Sequence, residues 1–449
     1  MSKFDSHPTV IKMNDLALES TVDNPKELDR DWLKRLSIEC GADDAGFVSL
    51  DSVEMDDQRE EVLKSFPRGK TVISIVCKTN QFAIRSPLRS VSNNEFHHTG
   101  RNVDEVCREI SKRLIAMGIG AMNEPMAFPM EYANFPDGKS WIISHKTVAV
   151  AAGMGKIGIH RNVIHPKFGN FILLGSVVID RIVKGPKESS LDFNPCLECK
   201  LCVAACPVGA ISPDGYFNFS ACITHNYREF MGGFIDWVKA ITESNSMNEY
   251  KDKFNDGETV SLWQSLTYGA NYKAAYCVAV CPAGEDVISP FLKDRKNFLQ
   301  EIVKPLQDKE EIIYVVKDTD AADYVQKRFP HKTVKYVGSG LSVKTIKSFL
   351  FGTTLIFQPG KSKGIDAVYH FSFKGKEVVQ ATLIVKDQKL TFEDGFVGIP
   401  NIKITADSQD WINFLNGRLN LFVALVTFKI RLKGNIKYLK DFSKCFPKG

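Results

Sequence analysis

Residues 196–207 read Cys-Leu-Glu-Cys-Lys-Leu-Cys-Val-Ala-Ala-Cys-Pro, a C-x2-C-x2-C-x3-C-P run. This spacing lets three thiolates of one short loop wrap a single iron–sulfur cluster while the fourth thiolate reaches a different cluster. Zinc sites and buried free thiols are the alternatives, but zinc favours paired C-x2-C units separated by longer loops. The run therefore predicts a [4Fe–4S] cluster bound by Cys196, Cys199 and Cys202, with Cys206 directed elsewhere.

A second segment is similar in sequence to the end of the first. Residues 202–207 read CVAACP, and residues 277–282 read CVAVCP. Such a repeat is expected of a pseudo-symmetric ferredoxin module that holds two clusters. The repeat predicts that Cys281 is the fourth ligand of the first cluster, and that Cys206 and Cys277 bind the second cluster.

The second cluster lacks one ligand. Cys222 can supply a third thiolate, but Ala274 stands where the repeat would need a cysteine. That cluster is expected to be [3Fe–4S], to be [4Fe–4S] with a non-cysteine ligand, or to expose an iron. His225 is the nearest imidazole, and a solvated histidine is the alternative interpretation. The remaining cysteines lack partner spacing and are interpreted as ordinary buried thiols: Cys40, Cys77, Cys107 and Cys445.

Composition indicates a soluble, multidomain protein. The 449 residues are too many for one hydrophobic core, and 44% hydrophobic with 25% charged residues is ordinary for globular chains. The net charge of +5 comes from 58 basic and 53 acidic residues, a balance too even to indicate nucleic-acid binding. The tail from Leu421 is basic, with Asp441 its only acid, and is interpreted as a solvated helix face.

The sequence carries no pattern for export or membrane insertion. Residues 1–24 lack the charged start, apolar run and cleavage site of a secretory signal. The longest apolar stretches, such as residues 171–179, are half the length that spans a bilayer. We therefore expect a cytoplasmic protein without a transmembrane segment.

Hydrophobic patterns divide the chain into an α/β (α+β) multidomain fold. Apolar runs at 71–76 and 171–179 predict strands, residues 103–117 predict a helix, and glycines at 153, 155 and 158 predict a tight bend. Alternating runs at 367–373 and 378–385 predict antiparallel strands, and helical spacing returns at 408–417 and 419–446. The expected divisions are an α/β domain at 25–185, a ferredoxin-type domain at 186–292, a linker at 293–315 and a sheet covered by helices at 316–449.

The order of an α/β domain, the cysteine run, a single Cys222 and a final C-x3-C-P resembles epoxyqueuosine reductases and the related reductive dehalogenases. The resemblance covers about residues 25–290 and includes CGADDAGF at 40–47, AAGMGKIGIHRN at 151–162 and HPKFG at 165–169. It implies that the first domain holds a cobalamin near one cluster and that electrons pass from cluster to cluster to cobalt. A ferredoxin or flavodoxin would be the electron donor. The implied cofactor contacts are Gly153, Gly155, Gly158 and His160, although each glycine is equally explained by a tight turn.

The implied catalytic group departs from the family pattern. Those enzymes place an aspartate before the helix that precedes the glycine turn, whereas an ungapped register here places Lys139 there, two residues after Asp137. The candidate proton donors of this segment are therefore Tyr132, Asp137, Lys139 and His145. The helical repeat extension that those enzymes use for tRNA is not found in this sequence, so no nucleic-acid partner is expected.

Residues from about 320 to 446 resemble the sterol-carrier-protein type of lipid-binding domain. The resemblance rests on residues 402–408, 411–420 and 430–435. It implies an apolar tunnel and a lipid or other apolar small molecule as ligand, and the alternative is that the aromatic residues simply fill a core. The aromatic candidates for lining the tunnel are Phe351, Phe357, Phe371, Phe373, Phe392, Phe396, Phe414, Phe422 and Phe428.

Together these features predict an iron–sulfur oxidoreductase that passes electrons through [4Fe–4S] clusters to a cobalamin-type site and reduces an apolar substrate. The alternatives are a reductase without cobalamin, or a non-catalytic protein that carries electrons or lipids.

Overall fold

The structure is a computed structural model that describes residues 4–19, 26–132, 140–185, 191–341 and 343–447. The helices are α1 (Pro8–Glu19), α2 (Arg30–Glu39), α3 (Arg59–Ser65), α4 (Gln81–Ile84), α5 (Arg89–Ala116), α6 (His145–Ala151), α7 (Leu201–Ala205), α8 (Phe219–Asn226), α9 (Gly232–Glu243), α10 (Met247–Lys253), α11 (Asp256–Tyr268), α12 (Tyr276–Ala279), α13 (Ser289–Lys293), α14 (Arg295–Phe298), α15 (Lys304–Asp308), α16 (Asp320–Arg328), α17 (Ile346–Ile356), α18 (Ser408–Leu415), α19 (Leu421–Val426) and α20 (Lys437–Cys445). The strands are β1 (Glu27–Asp29), β2 (Asp44–Ser49), β3 (Thr71–Lys78), β4 (Ala121–Glu124), β5 (Lys156–Ile157), β6 (Val163–Ile164), β7 (Ile172–Ile179), β8 (Ile182–Lys184), β9 (Ile312–Val315), β10 (Thr333–Tyr336), β11 (Ala367–Lys374), β12 (Val379–Lys386), β13 (Lys389–Asp394), β14 (Ile402–Asp407) and β15 (Ile430–Gly434).

The first domain is an antiparallel sheet with helices on both faces. Its strand order is β2-β3-β7-β4. Side chains alternate along β3, so Ile73 and Ile75 pack in the core that includes α2 and α5, whereas Val72 and Val76 pack in the core that includes α6. Burial on both faces explains why the predicted strands read as continuous apolar runs. The prediction of an α/β multidomain fold is confirmed.

Helix α5 begins at Arg89, much earlier than the predicted start near residue 103. Its first half has few buried apolar residues and is joined to the cysteine module by hydrogen bonds instead. Asn93 Nδ2 donates to the carbonyl of Tyr272 at 3.1 Å, and the Tyr272 N–H donates to Asn93 Oδ1 at 3.0 Å. A helix half that packs through polar groups shows no hydrophobic period, so the sequence pattern missed it.

The cysteine module extends further along the chain than expected. Helices α14 and α15 lie in the segment predicted as a linker, and β9, α16 and β10 follow as a parallel βαβ unit. Residues of this unit, including Ile313 and Val325, share a core with Cys206 and Ala221. The boundary expected at residue 316 therefore falls directly after β9, within a unit that packs against the cysteines.

The C-terminal sheet has the strand order β13-β12-β11-β14-β15. The runs predicted as antiparallel strands are β11 and β12, which do pair antiparallel, and β11 also pairs in parallel with β14. Strand β15 interrupts the segment 419–446, which was predicted as helical, because its short apolar alternation is too brief to distinguish from helical spacing. No helix in the described part of the chain combines the length and apolar character needed to cross a bilayer.

Aromatic rings fill the core between this sheet and its helices. The Trp411 ring of α18 lies 5.4 Å from Phe349 of α17 and 5.8 Å from both Phe371 and Phe373 of β11. Most of the proposed tunnel-lining residues divide between this packed core and the surface. Phe357, Phe371 and Phe373 are buried, whereas the exposed group consists of Phe351, Phe392, Phe396, Phe422 and Phe428.

Candidate iron–sulfur site

The cysteine run forms a tight loop that enters a short helix. Glu198 and Lys200 have φ of 49° and 62°, in the left-handed region that non-glycine residues seldom adopt. Because Glu198 and Lys200 flank Cys199, the backbone turns sharply on both sides of this cysteine before α7 begins. The loop is anchored at its start, where the Cys196 N–H donates to Asn194 Oδ1 at 3.0 Å. All eleven cysteines are free thiols.

A first group of thiols forms around Cys202. Burial raises the pKa of Cys202 well above its ordinary value, and the charges of Cys277, Cys281, Cys199 and Cys196 raise it further. Burial also raises the pKa of Cys281 to about 12, with contributions from Cys199 and Cys196. Cys202 and Cys281 are thus electrostatic neighbours of the other two predicted ligands, and Cys277 acts on both of them as well. Iron binding has to displace protons from these thiols.

A second group consists of Cys206, Cys222 and Cys277. Burial, followed by the charges of Cys206 and Cys277, raises the pKa of Cys222. Burial and Cys206 raise the pKa of Cys277 to about 12. Cys206 Sγ also accepts a hydrogen bond from the Ala210 N–H at 3.2 Å. Within the described residues, no three His, Cys, Asp or Glu side chains converge closely enough to hold a single metal ion.

Lys146 of α6 is a charged neighbour of the second group that no sequence motif indicates. Its positive charge lowers the pKa of Cys222 and Cys277, and their charges act on Lys146 in return. Its Nζ donates to the carbonyl of Arg161 at 2.9 Å and to Asn162 Oδ1 at 2.8 Å. Because Lys146 precedes Cys277 by more than a hundred residues, only the fold brings the two together.

Two cysteines of the second group are partly exposed as residues. Cys222 and Cys277 are half-buried, whereas Cys206 is buried. Lys146 is exposed to solvent, yet the surrounding protein still lowers its pKa by desolvation. Half-buried Tyr227 also adjoins these cysteines, whose charges contribute to its raised pKa after burial. Lys146 is thus an exposed residue whose charge acts on the half-buried Cys222 and Cys277.

The nominated proton donor His145 is held by the protein on both ring nitrogens. Nε2 lies 3.0 Å from the carbonyl of Pro125 and therefore donates to it, which leaves Nδ1 to accept from Ser176 Oγ at 2.8 Å. Burial lowers the His145 pKa, so the ring is neutral. Tyr132 is half-buried, and burial raises its pKa. The other two candidates, Asp137 and Lys139, lie outside the described residues.

The glycine turn has an explanation within the chain. Gly153 has φ of 80°, which glycine adopts at no steric cost. A Cβ on Gly155 would meet the Ile164 carbonyl at 2.5 Å, and one on Gly158 would meet Ile164 Cδ1 at 2.7 Å. Strand β6 thus occupies the space beside both glycines. Their assignment as cofactor contacts stays a prediction, because packing against β6 already requires glycine at both positions.

His160 follows this turn and is buried. Its Nδ1 accepts from the Asn162 N–H at 3.1 Å, so the proton of the neutral ring is on Nε2, 3.3 Å from the Asn170 side-chain amide. Burial, with the charge of Lys146, lowers the His160 pKa to about 4. The ring is therefore a neutral structural group near Lys146, and its cofactor role stays a prediction.

His225 is poorly arranged to complete the second cluster. Its Nδ1 accepts from the Tyr314 N–H at 3.3 Å, which puts the proton of the neutral ring on Nε2. A protonated nitrogen cannot ligate iron. Burial, with the charges of Lys273, Lys332 and Arg89, lowers the His225 pKa to about 3. The ring lies near the cations of an ion-pair network, and its Nε2 has no hydrogen-bond partner within the described residues.

Glu229 is the central anion of that network. It is 2% exposed and pairs with Arg89 at 2.7 Å and with Lys273, while Ser261 Oγ donates to it at 2.7 Å. Burial alone would raise its pKa, but Lys273 and Arg89 outweigh burial and hold the pKa below its usual value.

Replacing Glu229 by Gln is expected to lower the free energy of unfolding by about 3 kcal/mol at neutral pH, because the buried carboxylate is lost as the partner of two half-buried cations. The Glu229 carboxyl has a lower pKa in the folded than in the unfolded protein. It therefore stabilises the fold at pH values above its unfolded-state pKa, and this stabilisation is lost as the pH falls through its folded-state pKa. The difference in the free energy of unfolding between wild type and variant should therefore become smaller below about pH 5. Thermal unfolding of both proteins across that range measures it. A gap that widens on acidification would contradict the assignment.

Two family models match parts of the chain. The 4Fe–4S binding domain matches residues 190–212, which contain the cysteine run. The SCP-2 sterol transfer family matches residues 358–447, which contain the C-terminal sheet from β11 onward and its last three helices. The chain therefore contains a 4Fe–4S binding segment, and the expectation of a sterol-carrier-type C-terminal domain is confirmed.

Epoxyqueuosine reductases are similar to the first part of the chain. The enzyme of Staphylococcus aureus is 35% identical over 83 residues, which are 18% of this chain and 21% of that protein. The enzyme of Lactococcus garvieae is 22% identical over 235 residues, which are 52% of this chain and 58% of that protein. The chain thus spans less than two thirds of the length of either relative.

A catabolic reductive dehalogenase is among the solved structures that match. It is 14% identical, covers 61% of this chain and 34% of its own, and gives a TM-score of 0.36. A similarity at this level carries no information about function. The chain thus joins an epoxyqueuosine reductase-like iron–sulfur region to a C-terminal domain of the SCP-2 sterol transfer type.

Proposed function

We propose that this protein is an iron–sulfur reductase in which electrons pass through two clusters to an acceptor beside Lys146. The observation that carries the proposal is the position of the second thiol group. Cys222 and Cys277 adjoin Lys146, which belongs to α6 of the first domain, and both cysteines are half-buried. Electrons reaching this group would therefore be close to a residue of the first domain. The similarity to epoxyqueuosine reductases supports the same reaction class.

The ligand sets follow the thiol groups. The first cluster, [4Fe–4S], would be bound by Cys196, Cys199, Cys202 and Cys281. The second would be bound by Cys206, Cys222 and Cys277, and would be [3Fe–4S] or [4Fe–4S] with a non-cysteine ligand. The Lys146 charge favours the more negative, reduced state of this cluster, because opposite charges attract strongly where water is partly excluded. An electron donor such as a ferredoxin or flavodoxin would supply the first cluster.

Cobalamin is the acceptor that the resemblance implies. The half-buried cysteines, the Lys146 ammonium and the Tyr227 phenol are groups that suit the edge of a large polar cofactor, whereas Gly155 and Gly158 face strand β6. Lys146 and Tyr227 would contact the cofactor. Cobalamin would supply a cobalt centre that takes up electrons and transfers them to a substrate. His145 and His160 would keep the adjoining wall in place through their internal hydrogen bonds.

An apolar substrate is the finer part of the proposal. The SCP-2-type domain supports a lipid or another apolar small molecule as the ligand. Helix α17 packs against α8, which carries Cys222, so the C-terminal domain adjoins the cluster region. Extraction of the purified full chain followed by mass spectrometry of the released lipids tests this part. A chain that retains no apolar molecule and binds no acyl chain would contradict it.

Anaerobic purification after growth with cobalamin tests the acceptor. A corrinoid spectrum at about one equivalent per chain is the expected result. If cluster-loaded protein shows no such spectrum, cobalamin is not the acceptor. A Lys146→Met variant should retain its iron but hold less corrinoid, whereas Lys156→Met on β5 provides a control. A cluster-loaded protein that lacks corrinoid but is reoxidised by an added substrate would favour the cobalamin-independent reductase.

The absence of nucleic-acid partners and a cytoplasmic location stay predictions.

A further inference from the structure

The basic C-terminal segment has exposed apolar side chains that do not pack in the core of the C-terminal domain. Helix α19 packs against β15 through buried Ala424 and through Leu421 and Leu425, which contact the domain core. Phe422, Val423 and Val426 lie on its other side, three or four residues apart. Phe422 is 74% exposed and Val426 is 60% exposed. A short helix thus presents three adjacent apolar groups to water.

Phe428 extends this exposed surface at a cost in backbone energy. Its φ is 56°, in the left-handed region where a bulky side chain is strained and glycine is favoured. Its ring is 70% exposed, so packing in the core does not explain it. A strained phenylalanine that contributes little to the fold indicates a function outside the fold. Phe422, Val423, Val426 and Phe428 are called the α19 face below.

The sequence on both sides of the α19 face is rich in cations. Residues 411–440 contain no Asp or Glu and six basic residues. Lys429 is paired with Asp410 at 2.9 Å, but within the described residues the other five have no carboxylate partner. Those five are exposed: Arg418, Arg431, Lys433, Lys437 and Lys440. The Arg431 guanidinium lies 5.8 Å from the centre of the Phe428 ring, so charge and apolar surface adjoin directly.

We propose that the α19 face docks this protein on a lipid bilayer that carries anionic headgroups. Aromatic and aliphatic side chains enter the boundary between headgroups and acyl chains, while nearby Lys and Arg side chains pair with lipid phosphates. Both halves of that pattern are present in one short segment. The charge favours a phosphate-rich surface over an apolar protein partner, because no acid interrupts the cations. This inference does not depend on the redox proposal.

Sedimentation of the full-length protein with vesicles tests the docking surface. Binding is expected to vesicles of phosphatidylcholine mixed with phosphatidylglycerol, to weaken as salt is raised, and to be much weaker with phosphatidylcholine alone. Neutralising Arg431, Lys433 and Lys437 together is expected to lower the partition coefficient by about a hundredfold.

A Phe428→Gly variant separates folding from docking. Glycine suits the backbone at this position, so the unfolding temperature should be unchanged or higher while binding falls by about tenfold when combined with Phe422→Ser. Trp263→Ser with Leu266→Ser on α11 is the matched control, since both side chains are also more than half exposed. The control should bind like wild type.

Three results would overturn the proposal. One is the absence of binding to anionic vesicles, and another is undiminished binding of the Phe422→Ser, Phe428→Gly variant. The third is a concentration-dependent dimer, seen by light scattering, that the same variant abolishes. That result would assign the face to self-association.

Discussion

Replacing Cys277 by Ser is expected to remove the second cluster and leave the first intact. Iron should fall to about four per chain, because Cys277 belongs to the group with only three thiols and its loss leaves two. The first group retains Cys196, Cys199, Cys202 and Cys281. Iron and sulfide quantification after anaerobic reconstitution, with electron paramagnetic resonance of the reduced protein, measures the change.

A Cys40→Ser variant is the control for this experiment. Cys40 lies at the end of α2 and is only partly buried, and Glu109 and Arg113 are its charged neighbours rather than other cysteines. Its iron content should equal that of wild type. Loss of all iron from Cys277→Ser, or no loss, would show that the thiols are not divided as proposed.

Replacing Trp411 by Ala is expected to lower the free energy of unfolding of the C-terminal domain by about 4 kcal/mol. The side chain is 2% exposed and contacts the rings of Phe349, Phe371, Phe373 and Phe414, so truncation leaves a large cavity. Chemical denaturation followed by circular dichroism measures the loss.

The Trp411→Phe variant shows whether packing or polarity dominates at this site. The indole Nε1 is buried and has no hydrogen-bond partner within the described residues. Phenylalanine retains much of the ring contact and removes that unpaired donor. The free energy of unfolding should therefore fall by less than about 1.5 kcal/mol. A Trp411→Phe loss as large as that of Trp411→Ala would mean that the indole nitrogen binds a group inside the domain.

The sequence predicted the features that depend on local spacing. The run from Cys196 to Cys206 matches a 4Fe–4S binding domain because ligand spacing is a local property of the chain. Strand β3 was recognised because both of its faces are buried, which produces an uninterrupted apolar run. The helix end at Gly153 was recognised because only glycine adopts its backbone angle at no cost.

Features that depend on distant parts of the chain could not be predicted. Lys146 precedes Cys277 by far, and nothing in the pattern of α6 distinguishes a lysine beside a thiol group from one in solvent. The βαβ unit of β9, α16 and β10 reads like the start of a new domain, although Ile313 packs with Cys206. The first half of α5 is joined through Asn93 and Tyr272, so it has no apolar period. The internal hydrogen bonds of His145 likewise follow from tertiary contacts with Pro125 and Ser176.

The central claim is that two iron–sulfur centres exist and that the second lacks one cysteine ligand. Quantification of iron on the anaerobically reconstituted full chain, combined with Mössbauer spectroscopy, tests it most directly. We expect about seven or eight irons per chain in two spectroscopically distinct centres, one of them a [4Fe–4S] cluster with four cysteine ligands. A single centre with about four irons per chain, at full loading of Cys196, Cys199, Cys202 and Cys281, would contradict it.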